Sequence, residues 1–242
     1  MNKEKLLYEY ENSKHALQSD NIIAITNRHL CSRPFMEQLE RVCKLHPHAI
    51  VLREKDMPEA EYLSLARDVI ALCKKYDVQC MLHSFINVAM ELEHPYIHLP
   101  LPILEAYVKK NVSGNISTGM SKSTDNYQQF FKVIGTSVHS VSDAVRAEKL
   151  GATYLTAGHI FATDCKKGLP PRGLDFLKNV CNAVGIPVYA IGGINIASND
   201  NSTAFDAPSA YDAMPDISVP RLADVMKCGA AGGCIMSGMM RV

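Results

Sequence analysis

Four histidines in this 242-residue chain fall at the ends of short apolar runs: His83, His98, His139 and His159. Imidazole exchanges a proton near neutral pH, so this placement suggests proton chemistry or contact with an anion. His139 is the best placed, because Thr-Ser-Val-His139 ends one run and Ser140 at once opens a capped helix. Cations stand at similar positions. Arg53, Glu54 and Lys55 follow one run, and Lys166 and Lys167 sit in Thr163-Asp-Cys-Lys-Lys-Gly168. Arg53 ends a strongly apolar stretch, where a guanidinium without a partner is costly to bury, so it needs Glu54, Asp56 or an anionic ligand. A Gly-Gly pair and a Ser-Gly pair complete the set, in Ile191-Gly-Gly-Ile194 and Met236-Ser-Gly-Met239. Glycine lets backbone N–H groups approach an oxyanion closely, and a helix start just beyond adds favourable polarity. Such pairs also occur in plain turns; two of them at the right strand ends point to phosphate.

Other chemistries are disfavoured. His and Cys show no HxH or CxxC spacing, which argues against zinc. Neither GxGxxG nor GxxxxGKS occurs, so a Rossmann or P-loop nucleotide site is not expected. Hydrophobic residues make up 47% and charged ones 21%, with 14 Gly and 12 Pro, an ordinary globular composition. Lys plus Arg (25) balances Asp plus Glu (25), so no overall field favours nucleic acid or a membrane surface as a partner. The eight cysteines are scattered and read as reduced thiols. The N-terminus, MNKEKLLYEYENSKHAL, lacks the apolar run of a signal peptide, and no run approaches the ~18 apolar residues of a membrane span. A cytoplasmic protein is expected.

The elements that would position these groups follow a repeating rhythm. Eight β-prone runs occur at Asn21–Thr26, Ala49–Glu54, Gln79–Ser84, Tyr96–Pro100, Lys132–His139, Thr153–His159, Pro187–Ile194 and Gly232–Ser237, separated by helix-period segments. Asp56-Met-Pro-Glu59 reads as a capping box before a helix with Tyr62, Ala66, Val69 and Cys73 on one face. Ser140-Val-Ser-Asp143 reads as another, closed by Gly151. Near-continuous apolar strands covered by helices make a parallel sheet, and eight such units in one domain, 1–242, point to a single α/β (β/α)8 TIM barrel rather than an open doubly wound sheet. Residues 1–19 suggest an extra N-terminal helix. Ser113–Asn126 and Asn195–Asp216 lack a periodic face and read as loops, the second at the rim of the site as a lid or a surface insertion. A full closing eighth helix has no room, so the N-terminal helix or a partner subunit is expected to cover that side, in a homo-oligomer such as a dimer.

Several segments together resemble one family. LREKD (Leu52–Asp56), GTSVHSVSDAVRAEKLGATYL (Gly135–Leu155), GHIFATDCKKGLPPRGL (Gly158–Leu174), PVYAIGGI (Pro187–Ile194) and CGAAGGCIMSG (Cys228–Gly238) are similar to the thiamine phosphate synthase/TenI superfamily of TIM barrels, over roughly residues 20–239. The resemblance implies thiamine biosynthesis. A synthase couples hydroxymethylpyrimidine diphosphate to thiazole phosphate and, as the family pattern implies, needs Mg²⁺ on acidic residues. This chain carries His83-Ser84 where an Asn-Asp pair is typical, and no Asp follows His98-Leu99. TenI-type proteins instead act as thiazole tautomerases, and the piece around His159 and Cys165 is more similar to TenI, whereas Arg53-Glu-Lys55 is the more synthase-like spelling.

The expectation is therefore an isomerase that aromatises a thiazole carboxylate phosphate by proton transfer, without cofactor or metal. His139 would be the acid/base, with His83 and His159 in reserve. Arg53, Lys55 and Lys166 would hold the carboxylate, and Thr163 would orient the ligand. Amides around Gly192, Gly193, Ser237 and Gly238 would hold the phosphate. The alternatives are a Mg²⁺-dependent synthase and a non-catalytic regulatory barrel that binds a phosphorylated ligand.

Overall fold

Runs of Ile, Val, Leu and Ala four to six residues long form the strands of this computed structural model, which describes residues 21–116, 130–163, 166–196 and 219–242. In chain order they are β1 (Ile22–Ile25), a 3-10 turn (Arg28–Leu30), α1 (Phe35–Lys44), β2 (Ala49–Leu52), α2 (Glu59–Lys75), β3 (Gln79–His83), α3 (Ile86–Glu91) and β4 (Tyr96–Pro100). There follow α4 (Leu101–Ile116), β5 (Val133–Val138), α5 (Val141–Lys149), β6 (Tyr154–Gly158), α6 (Gly173–Ala183), β7 (Val188–Ile191), α7 (Leu222–Lys227) and β8 (Gly232–Ile235). Every neighbouring pair is parallel, and β8 returns to β1 with Ile23 opposite Cys234, closing the barrel. All eight expected strands are present, each trimmed by a residue or more except β4.

Closure divides the side chains by strand period. Ile22, Ala24, Ile50, Leu52, Leu82, Ile97 and Leu155 point outward into the layer of helices. Ile23, Ile25, Val51, Met81, Tyr154, Tyr189 and Cys234 fill the inside. The Tyr154 ring lies over Gly135, where an added Cβ would sit 2.2 Å from its Cζ, so a side chain there would force the ring to move. Above this layer the imidazoles of His83 and His98 stack, with centroids 5.7 Å apart and planes inclined by 14°. His98 uses both ring nitrogens, Nδ1 with the Tyr154 hydroxyl at 2.9 Å and Nε2 with Ser137 Oγ at 2.8 Å. Burial first, then the nearby positive groups, holds both rings neutral. His83 is pushed down to about 2, with His98, Arg53 and Lys55 adding to burial, and His98 to about 3, with Arg53 and Lys55 adding.

Two local expectations are corrected. The Asp56–Glu59 capping box does not form: α2 starts after Pro58 with no side-chain cap, because Asp56 is held by Arg28 and His29 instead. The Ser140 cap does form, its Oγ accepting from Asp143 N at 3.0 Å. The loop expected from Ser113 begins later, since α4 continues to Ile116. Ser, Gly and Asn cost a helix only about 0.5–1 kcal/mol each, which the preceding turns absorb. Beyond β8, Met239 and Met240 are buried and Gln38 Nε2 of α1 donates to Met239 O at 2.8 Å, which ties the last described turn to α1. The N-terminal helix (1–19) and nearly all of the 195–216 insertion lie outside the described residues.

Two outcomes follow for stability. Gly135→Ala should drive the Tyr154 ring from its slot and lower stability by about 1–3 kcal/mol, as overpacking does, read by urea unfolding; an unchanged midpoint would mean the ring has other room. The two imidazoles are neutral when folded but titrate near 6.5 once unfolded. The unfolded chain thus binds more protons below that pH. Stability should be full above about pH 6.5 and fall by up to about 1.4 kcal/mol per pH unit for each ring as pH drops toward 3. Urea midpoints at pH 7.5, 6 and 5, flanking about 6.5, test this, and a flat series would contradict it.

Candidate active site

Alternation along parallel strands aims every second residue at one mouth, and a cavity of about 560 Å³ opens there. β2 and its exit supply Arg53 and Lys55, β3 His83, and β4 His98. β5 and its exit supply Ser137 and His139, two residues apart on the inward side. The β6 exit adds His159, Thr163 and Lys166; Gly192 and Gly193 follow β7, and Ser237 follows β8. Ten of the eleven residues expected from the sequence therefore share one cavity. Gly238 does not line it: a Cβ there would face Ile235 and Ile196.

The charge balance of the mouth is set beside it. Glu54, 2% exposed, accepts from Thr26 Oγ1 at 2.6 Å and from Arg28 Nη1 at 3.0 Å. The same guanidinium forks onto Asp56 at 2.9 and 2.7 Å, which together with His29 holds that carboxyl well below the usual carboxylate range. Neither acid pairs with Arg53, which corrects one expectation and leaves the other, an anionic ligand. Among the described residues Arg53, Lys55 and Lys166 make no ion pair. Burial and the charges of Arg53 and Lys166 push the Lys55 ammonium below its ordinary value. Three unneutralised cations at one opening favour an anion.

The histidines differ in what they can do. His139 Nδ1–H donates to Gly158 O at 2.9 Å, which orients the ring at the mouth, and its Nε2 meets no partner among the described residues. His159 turns its Nε2–H to Leu169 O at 3.3 Å. His83 meets Ser84 Oγ through Nδ1 at 2.8 Å and is too strongly held neutral to gather a proton near pH 7. It suits a neutral hydrogen-bonding role.

Around the glycine turns, Gly192 and Gly193 have φ of +98° and +70°. A Cβ on Gly192 would fall 2.3 Å from His159 Cβ, and one on Gly193 2.5 Å from Ala162 O. The turn therefore abuts the β6 exit with no room for a side chain.

A divalent cation of the Mg²⁺ type wants several oxygen ligands. The ends of β3 and β4 carry His83-Ser84 and Pro100-Leu101, and the acid lining the cavity among the described residues, Asp143, is taken by Arg146 at 3.0 Å. Nor do any three His, Cys, Asp or Glu among the described residues form a group suited to a metal. The described residues do not fit a diphosphate–Mg²⁺ clamp. Seven cysteines are described and all are free thiols; Cys165, with Asp164, lies outside the described residues. No described helix is long and apolar enough to cross a membrane.

Sequence reasoning passed over Ser137 and Thr156, whose hydroxyls lie 3.0 Å apart on the inner wall, and Arg28, which takes the acids near Arg53. The signal for Ser137 was present, since it precedes His139 by one strand period. For Arg28 there was none, because its partners are 26 and 28 residues away.

Comparison with known proteins accords with this architecture. The family model for thiamine monophosphate synthase matches residues 22–211. An Aquifex aeolicus protein provisionally named thiamine-phosphate synthase 2 is 34% identical over 178 residues, 74% of this chain and 87% of its own. The thiamine-phosphate synthase of Pyrococcus furiosus is 30% identical over 174 residues, 72% of this chain and 75% of its own. A solved thiamine phosphate pyrophosphorylase structure from Pyrococcus furiosus superposes with a TM-score of 0.65 at 26% identity, covering 93% of this chain and 89% of that one. The barrel, the order of its motifs and these matches place the chain in the thiamine monophosphate synthase/TenI family.

Proposed function

We propose that the chain is a thiazole tautomerase of thiamine biosynthesis, moving a proton on a phosphorylated thiazole carboxylate until the ring is aromatic. The observation that carries this reading is His139: its Nδ1–H donates to Gly158 O and its Nε2 meets no partner among the described residues, in the same cavity as the three unpaired cations. In this reading Nε2 takes the ring proton and returns it at the position that completes the aromatic system. Arg53, Lys55 and Lys166 hold the carboxylate and stabilise negative charge as it develops. Backbone amides of the Gly192-Gly193 turn and the Ser237 turn hold the phosphate. Thr163 orients the ring, and His83 and His98 form a neutral polar floor. His159 stays the reserve acid/base. No step calls for a metal, in keeping with a mouth that carries imidazoles and cations where a Mg²⁺ clamp would need carboxylates.

A second reading rests on the relatives, whose names favour it: thiamine-phosphate synthase, joining hydroxymethylpyrimidine diphosphate to thiazole phosphate with release of diphosphate. The two readings separate in one pair of assays. Tautomerisation is expected to proceed at the same rate with and without chelator, and the two thiamine precursors mixed with Mg²⁺ should release no diphosphate. Diphosphate release that chelator abolishes would transfer the assignment to the synthase. Tight thiazole phosphate binding with neither activity would leave a regulatory barrel.

General acid/base groups contribute about 10²–10⁴-fold. His139→Asn is therefore expected to cut kcat by about that factor while leaving the affinity for thiazole phosphate within about twofold, since it holds no anion. Full activity in a folded variant would remove His139 from the role.

A further inference from the structure

Three successive carbonyls, starting from the last residue of β7, each accept a hydrogen bond. Ile191 O accepts from Ile160 N at 2.9 Å and Gly192 O from Phe161 N at 3.1 Å. The third, Gly193 O, accepts from a side chain, Arg221 Nη1, at 2.5 Å. That guanidinium also lies over the Phe161 ring, 4.6 Å from its centroid. Arg221 thus spans from the entry of α7 to the β6 and β7 exits.

The orientation matters because the N–H of a trans peptide points opposite to its C=O. With Gly193 O drawn to Arg221, the N–H of Ile194 is turned away from it. Ile194 and Gly193 line the cavity, and within the described residues neither of their N–H groups donates to any acceptor. A backbone N–H at the edge of a cavity that no acceptor of the protein engages is able to donate to a ligand or to water. Glycine at 192 and 193 does not fix its own peptide planes, since it populates many φ/ψ combinations. The first two planes are fixed by main-chain hydrogen bonds. The third depends on Arg221.

We propose that Arg221 is a positioning residue for the phosphate-binding turn: by holding the Gly193 carbonyl, braced on Phe161, it presents the Ile194 N–H to the phosphate. This rests on the reading above that the turn binds phosphate. Arg221 is exposed and touches no reacting atom, so it acts through the peptide plane alone.

The test is amide NMR of the full chain titrated with inorganic phosphate, for the parent and for Arg221→Met, at low salt and at about 1 M NaCl, where the screening length is about 3 Å. In the parent, phosphate should move the Gly193 and Ile194 amide signals. In Arg221→Met the Ile194 signal should shift before any phosphate is added, and phosphate affinity should fall about fivefold, the equivalent of one hydrogen bond. That ratio should persist at high salt. A loss that vanishes at high salt would show that Arg221 acts only as a distant charge, and unchanged affinity would show that the turn holds itself; either overturns the proposal. If phosphate leaves the parent's Gly193 and Ile194 signals in place, the phosphate site itself is elsewhere and the proposal falls with it. The remaining amide signals report whether the variant is folded.

Discussion

Arg28 takes both acids that stand beside Arg53, and the character of the site follows from that pairing. Glu54 is buried and could not remain there as an unpaired carboxylate at tolerable cost. It is satisfied by Thr26 Oγ1 and by the guanidinium and backbone N–H of Arg28, and Thr26 Oγ1 in turn accepts from Arg53 N at 2.8 Å. The ends of β1 and β2 are tied together by this network, with the negative charge on the outside and Arg53 and Lys55 on the cavity side. Had Glu54 or Asp56 neutralised Arg53, the mouth would have lost much of its pull on an anion.

Beneath the cations lies a floor that is polar but uncharged. His83 and His98 are packed ring to ring, and the positive groups above them reinforce burial in keeping them neutral. Tyr154 and Ser137 complete the hydrogen bonds of His98, and Gly135 makes the space for the tyrosine. The barrel core and the site are therefore one continuous arrangement, in which a substitution aimed at packing would be felt at the mouth.

Much of this was legible in the sequence. The eight strands could be read because buried parallel strands are short apolar runs between amphipathic helices, and the site residues could be read because strand ends in a barrel converge. What could not be read were pairings across long stretches of chain. Asp56 looks like a helix cap beside Glu59, but it serves Arg28; for Arg53 a partner in its own motif and an anionic ligand looked equally open, and Arg28 takes the acids of the motif. Gly238 looks equivalent to Ser237, but it turns toward Ile235 and Ile196. Local spelling fixes periodicity; which charge meets which is decided by the closure of the barrel.

His139 is oriented by a carbonyl rather than by a carboxylate. A carboxylate in that place would set a negative charge beside the cations of the mouth and offset them. The Gly158 carbonyl gives the ring its direction and leaves the positive balance of the opening intact.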